Sequence, residues 1–444
     1  MTAGYAQAAD PSARADICVV GGGGHVGLPL ALVLASRGQR VLIYDINEAT
    51  LDLIGRGQMP FMERGAEPLL RRLLRDGCLD LASDPSRVAG VPTLVVTVGT
   101  PVDEFHNPAL KHIKECVDQL LPHLSDGQLL ILRSTVYPGT TDWLARYIAA
   151  TGKSILVSFC PERVVEGRAI EELQAFPQIV SGATPEAERA AADVFRRIAP
   201  SVVPMTPIEA EFAKLFSNAY RYIHFAIANQ FYTLATAAGV NFAAVAEGMK
   251  QDYPRMRDFP LPGFTAGPCL FKDTMQLVAF SNNQFSLGHA AMLVNEGLPQ
   301  FIADQLEKKH RLADMTVGLL GMAFKADSDD PRSSLSYKLK KILAFRSKAV
   351  LTTDPHVRGD PDIIPLGDVV NRSDLLVLCV PHSHYRDLRL DGKHVVDVWG
   401  FLPDGSRPFN ARPDIAREPL FPLPVSGKGP GPALSLPKGG QVGR

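Results

Sequence analysis

The stretch VVGGGGHVGLPLAL, residues 19–32, decides the fold. It leads from the apolar run ICVV through four glycines into a helical stretch, and it contains G-x-G-x-x-G as Gly22, Gly24 and Gly27, with His25 and Val26 inside the loop. Glycines at these places let the backbone approach a pyrophosphate, whose charge then faces the amino end of the helix. A glycine-rich turn alone is a common feature; a strand before it and a helix after it form the context that the motif requires. Asp45 ends the next strand, VLIYD, eighteen residues beyond Gly27. A carboxylate there bonds both hydroxyls of an adenosine ribose and disfavours a 2'-phosphate, so the loop predicts NAD rather than NADP.

Outward from the loop, short apolar runs alternate with helical stretches: VLIYD, TLVVTVGTP, LLILRSTV, SILVSFCPE and PQIVSG. Strand, helix, strand repeated in this way predicts a parallel sheet covered on both faces. Thr100 and Thr135 follow two of these strands, which places them at the nicotinamide end. Between Pro207 and Gly239 the sequence has no further proline and no glycine, with apolar residues at helical spacing. One long helix is expected there, a spine between domains and a dimer surface. A second alternating block begins at MTVGLLGMAFK and closes with HVVDVWG.

The expected fold is therefore α/β: two Rossmann-like parallel-sheet domains joined by a long central helix and a helical middle domain. The expected boundaries are a leader at 1–13, an NAD-binding domain at 14–204, a central helical and dimerisation domain at 205–300, a C-terminal nucleotide-sugar-binding domain at 301–422 and a disordered tail at 423–444. A chain of 444 residues agrees with about three folding units at roughly 150 residues each.

The formal charge of −1, with acids and bases interspersed, gives no footprint for nucleic acid or an anionic membrane, and points to a small-molecule partner. Ile17–Ser36 carries no Asp, Glu, Lys or Arg, but four consecutive glycines and Pro29 argue against a targeting or membrane segment. Six cysteines without CxxC or Cys/His zinc spacing predict a reducing, cytoplasmic setting and no metal. His382 and His384, in PHSHY, lack acidic or cysteine neighbours at ligand spacing and read as a strand-end loop.

In FTAGPCLFKDTMQL, residues 264–277, Cys269 is either packing or a nucleophile. A free thiol has a pKa of about 8.5, so a catalytic one needs cationic or backbone N–H neighbours. Lys272 is close in sequence, and Gly267 permits close backbone approach.

With VGTPVDE, STVYPGT, PERVVEG, EFAKLFSNAY, GPCLFKD and GMAFKADSDDPRSS following the glycine loop in that order, the chain from about Ile17 to Gly400 resembles the UDP-glucose/GDP-mannose dehydrogenase family. The resemblance implies oxidation of a nucleotide-sugar C6 alcohol to a carboxylate with reduction of two NAD, through a cysteine-bound intermediate on Cys269. It implies that Lys214 and Asn218, four apart on one face of the long helix, stabilise the sugar C6 oxygen, and that Asp273 works with a water as base. It assigns Glu162 to activating the water that hydrolyses the thioester, with Thr135 helping to hold it and Glu166 nearby. Arg255 is implied to reach substrate phosphate across a dimer, and Lys325 and Arg332 to contact substrate and NAD. Cys160 is a rival nucleophile, ranked below Cys269 because the family needs no thiol there.

STVYPGTT, PERVVEG with AIEELQAFPQIVSG, and Arg221 resemble the enzymes acting on UDP-N-acetylmannosamine, whereas Lys272 before Asp273 is nearer the UDP-glucose and GDP-mannose pattern. The chain departs from the family at TAGPC and at Trp399, where many members carry an arginine for the nucleotide. Two other readings compete. A β-hydroxyacid dehydrogenase would need neither Cys269 with Asp273 nor a third domain, and an inactive nucleotide-sugar sensor could lose the nucleophile freely.

Overall fold

The computed structural model describes residues 15–100, 111–264, 267–390 and 392–402. The expected leader and tail, and the PVDE half of VGTPVDE, lie outside them.

Eight strands form the first sheet: β1 (Ile17–Val20), β2 (Val41–Tyr44), β3 (Leu79–Ala82), β4 (Thr93–Val96), β5 (Leu129–Leu132), β6 (Leu156–Phe159), β7 (Gln178–Gly182) and β8 (Val202–Pro204). Their spatial order is β3-β2-β1-β4-β5-β6-β7-β8. Every residue of β1, β2, β4 and β5 is buried, as apolar runs covered by helices on both faces should be. The order turns at β1 and β4, so the loop after β1 opens at a topological switch point, where such sheets bind their ligands.

One detail departs from the parallel expectation: β7 runs antiparallel to β6. The link between them carries only the seven-residue helix Ala169–Ala175, which packs on helix Gly27–Ser36. It never returns the chain to the starting end of the sheet, so the next strand enters from the opposite direction.

Pro207–Ala237 is a single helix of 31 residues. Thr206 starts it, donating its N–H and its hydroxyl to Glu209 at 2.9 and 2.7 Å, with Pro207 pre-set in the first turn. Gly239, at φ +70°, ends it. The two faces of this helix differ. Ala210, Lys214, Asn218, Tyr222 and Asn229 are buried, whereas Phe216, Tyr220, Ile227, Phe231 and Leu234 are 39–60% exposed, leaving an apolar stripe outside. Helices Gly267–Phe280 and Ser286–Lys309 pack on the inner face.

The second sheet is all parallel, in the order β10-β9-β11-β12, from β9 (Thr316–Leu320), β10 (Ala349–Thr353), β11 (Leu375–Leu378) and β12 (His394–Asp397). Among the described residues no helix is long and apolar enough to cross a membrane.

Candidate active site

The glycine loop meets the steric demands of a bound dinucleotide. A Cβ at Gly22 would lie 2.6 Å from the Val19 carbonyl oxygen, and one at Gly27 2.7 Å from that of Gly21, so both places exclude side chains. Helix Gly27–Ser36 has no side-chain cap at Val26 and no acid in its first turn, which leaves its amino-end N–H groups to an anion. Asp45 accepts the Gly23 N–H at 2.9 Å and the Asn47 N–H at 3.0 Å, one on each oxygen, which holds its carboxylate over the loop with lone pairs to spare for a ribose. His25 stacks on Phe61 with centroids 4.0 Å apart; burial and the nearby Arg332 charge lower its pKa.

Glu211 ties the long helix to this domain. Its buried carboxylate accepts the N–H groups of Gly139 (2.6 Å) and Thr141 (2.8 Å) and the Thr141 hydroxyl (2.6 Å), at the amino end of helix Thr140–Ala149. With that turn anchored, the next two turns on the same face carry Lys214 and Asn218 inward. Asn218 Nδ2 donates to Asp273 Oδ2 at 2.6 Å. Lys272 Nζ lies 3.4 Å from Asp273 Oδ1 and donates to Thr100, 3.0 Å from its carbonyl oxygen and 3.2 Å from its hydroxyl. The Thr100 hydroxyl donates to the Thr135 carbonyl at 2.6 Å, and the Thr135 hydroxyl lies 3.5 Å from Asp273. Thr100, Thr135, Asn218, Lys272 and Asp273 thus form one connected cluster.

Cys269 is the third residue of helix Gly267–Phe280 and opens to solvent on one side, walled by protein on the others. Burial raises its thiol pKa and Asp273 adds to that, while Lys272 and Lys214 pull it down and Glu166 pushes it up. The neighbouring cations act in the expected direction, and burial with Asp273 outweighs them. Lys272 is shared with Thr100 and Asp273, so the acid offsets much of its charge. Cys160 is fully buried and pushed up to about 12, which makes it core filling.

Glu162 Oε2 accepts from Arg133 at 2.6 Å and its Oε1 from the Val164 N–H at 2.7 Å. Glu166 adds to the charges that push the Cys269 thiol up. Burial and Asp330 raise its carboxyl pKa, and it faces Arg332 at 3.6 Å, which itself grips Asp330 at 2.6–2.9 Å. Lys325 donates to the Glu166 main-chain oxygen, and burial, helped by Arg221, lowers its pKa against the pull of Glu166 and Glu63. Arg221 itself is exposed. Arg255 is exposed as well, on the turn Pro254–Met256 with Tyr253 as its neighbour at 3.4 Å, and is not drawn into the cluster.

Residues 15–199 match the NAD binding domain of the UDP-glucose/GDP-mannose dehydrogenase family, residues 208–297 its central domain and residues 318–404 its UDP binding domain. The chain belongs to this family. It is an NAD-dependent nucleotide-sugar dehydrogenase. A relative from Pyrococcus horikoshii, a UDP-N-acetyl-D-mannosamine dehydrogenase, is 30% identical over 82% of this chain and 89% of its own. The solved UDP-D-ManNAc dehydrogenase structure from Pyrococcus horikoshii is similar at TM-score 0.82 and 28% identity, covering 88% of this chain and 96% of that one. A UDP-glucose dehydrogenase structure from Pyrobaculum islandicum follows at 0.81 and 27%, covering 89% and 96%.

Three features of this dehydrogenase escaped sequence reasoning. Arg133, 1% exposed, directly follows the buried strand β5, and a charge there demands a partner; the LLILR run carried that signal. Glu211 opens the EFAKLF motif, with no local sign that it would be buried. His382 does have carboxylate companions, supplied from afar: its Nε2 lies 3.0 Å from Asp354, and its Nδ1 accepts the Asp327 N–H at 3.0 Å. With Nε2 donating to Asp354, both ring nitrogens are engaged. The grouping of Asp327, His356 and His382 therefore offers a metal no free imidazole nitrogen from His382.

Proposed function

We propose that this dehydrogenase oxidises the C6 alcohol of UDP-N-acetylmannosamine to the uronate in two hydride transfers. The observation that carries the four-electron course is Cys269 at the amino end of its helix, with the charges of Lys214 and Lys272 acting on it and the Asn218–Asp273 pair one turn on. NAD, when bound, accepts one hydride in each oxidation. Lys214 and Asn218 stabilise the developing alkoxide, and Asp273 receives the proton through a water. The Cys269 thiolate adds to the resulting aldehyde as a thiohemiacetal, and its C–H bond yields the second hydride to leave a thioester. Water then attacks the thioester carbon, the C–S bond breaks, and the thiol is regenerated with the carboxylate. Glu166, whose charge acts on the thiol, takes the part of proton acceptor for that water in this reading, since both oxygens of Glu162 are engaged.

The sugar reading rests on the motifs shared with N-acetylmannosamine enzymes and on the 30% identical relative. UDP-glucose is the second reading, since the Pyrobaculum islandicum structure fits almost as well. The test is NADH formed per sugar consumed, with each sugar limiting in parallel and NAD in excess. About two NADH are expected from UDP-N-acetylmannosamine. About one would mean that the aldehyde escapes and Cys269 is packing; turnover of UDP-glucose alone would move the substrate assignment.

The exposed stripe of Phe216, Tyr220, Ile227, Phe231 and Leu234 supports a homodimer across the long helix, with Arg255 serving the partner's cleft. Sedimentation velocity should find a dimer that Phe216→Glu with Leu234→Glu converts to monomer; a parent that sediments as monomer removes this surface from consideration.

A further inference from the structure

We infer that two rings of the C-terminal sheet domain, Phe324 and Trp399, position the Cys269 thiol by pressing on Gly267 and Gly263. The inference rests on Cys269 being the nucleophile of the reaction above. Gly263 and Gly267 precede Cys269 by six and two residues, at φ +149° and +64°, where a side chain is strained. A Cβ at Gly263 would lie 2.4 Å from the Trp399 ring, and one at Gly267 would lie 2.5 Å from Cδ2 of Phe324. Each glycine therefore has an aromatic face where a side chain would stand, and both faces come from the domain that does not carry the thiol.

Gly263 is gripped from the other side by the long helix. Its N–H donates to Asn229 Oδ1 at 2.8 Å, and Asn229 Nδ2 lies 3.2 Å from its carbonyl oxygen. Asn229 is tied to Asn295 at 2.9 Å, and Asn295 donates to the Tyr222 carbonyl at 3.1 Å, all of it buried. The rings are fixed as well. Trp399 Nε1 donates to the Cys379 carbonyl at 3.0 Å and its N–H to Asp397 at 3.0 Å; Asp397 also accepts the Leu402 N–H at 2.8 Å. The Phe324 N–H donates to the Asp330 carbonyl at 2.9 Å, and the adjacent Lys325 donates to the Glu166 main-chain oxygen. Gly263 is thus held between the long helix and Trp399 of the C-terminal sheet domain, and Gly267 lies against Phe324. Any shift of that sheet is delivered to the first turn of the thiol's own helix, where a displacement of about 1 Å is worth up to about a hundredfold in rate.

The test uses the full chain with Phe324→Ala, Trp399→Ala and, acting from the loop side, Gly263→Ala. Three readouts are taken: amide exchange of peptides covering 267–273, the rate at which iodoacetamide alkylates Cys269, and kcat against the KM for NAD. Expected are faster exchange at 267–273, an alkylation rate altered at least about threefold, and kcat lowered about tenfold or more with the NAD KM within about twofold. Exchange in β1, β4 and β5 should stay as in the parent, and Trp399→Phe should recover most of the loss. Unchanged exchange and alkylation in both ring variants would overturn the inference, as would loosened exchange with undiminished kcat. Alkylation and exchange need no substrate, so a parent inactive on both sugars would defeat the functional reading while these two readouts still decide the contact.

Discussion

Cys269→Ser binds NAD and the nucleotide sugar as the parent does and forms uronate at least about a thousandfold more slowly, the scale on which removal of a nucleophile acts. A serine hydroxyl is a poor nucleophile at neutral pH and finds no base in this cluster dedicated to it. The first hydride transfer needs only Lys214, Asn218 and Asp273, so residual turnover should release aldehyde with about one NADH per sugar. Uronate formation at the parental rate would remove Cys269 from the chemistry.

The pH behaviour of the thiol follows from its surroundings. Burial and Asp273 hold its pKa above the ordinary thiol value, so the reactive thiolate is scarce at neutral pH and grows as pH rises. Alkylation of Cys269 should therefore climb across pH 7 to 9. Asp273→Asn removes a negative neighbour, lowers the thiol pKa and speeds alkylation at pH 8, by about tenfold for each unit of change. Slower alkylation in that variant would reverse the sign assigned to Asp273.

Arg133→Met destabilises the first sheet domain by about 3–5 kcal/mol, the cost of leaving one partner of a buried ion pair uncompensated. Arg133 is 1% exposed, Glu162 is buried, and their contact is 2.6 Å. The guanidinium also donates to the Cys160 carbonyl and to Gln178 at 3.1 Å each, and lies over the Phe195 ring at 5.1 Å. Gln178 in turn donates to the Pro161 carbonyl at 3.0 Å, so the two side chains hold the whole turn that leads to Glu166. Urea unfolding measures the loss, and Glu162→Gln in the same background should recover part of it by removing the stranded charge. A single variant within about 1 kcal/mol of the parent would show that the pair is solvated after all.

The sequence by itself determined what is local. Strand, glycine turn and helix at residues 17–36, Asp45 at the end of the next strand, and the common face of Lys214 and Asn218 follow from periodicity and spacing, because the backbone geometry of one element fixes them. The order of motifs also carried the family. Only the tertiary structure decided which charges meet. Asn218 bonds Asp273 across 55 residues of sequence, Arg133 takes Glu162, His382 takes Asp354, and β7 turns antiparallel. It also set burial and Asp273 against the cations near the Cys269 thiol, a balance that Lys272 beside Asp273 in the chain does not disclose. The physical reason is the same in each case. A buried polar group must find its partner wherever packing brings one, and packing joins elements whose separation along the chain leaves no trace in local pattern.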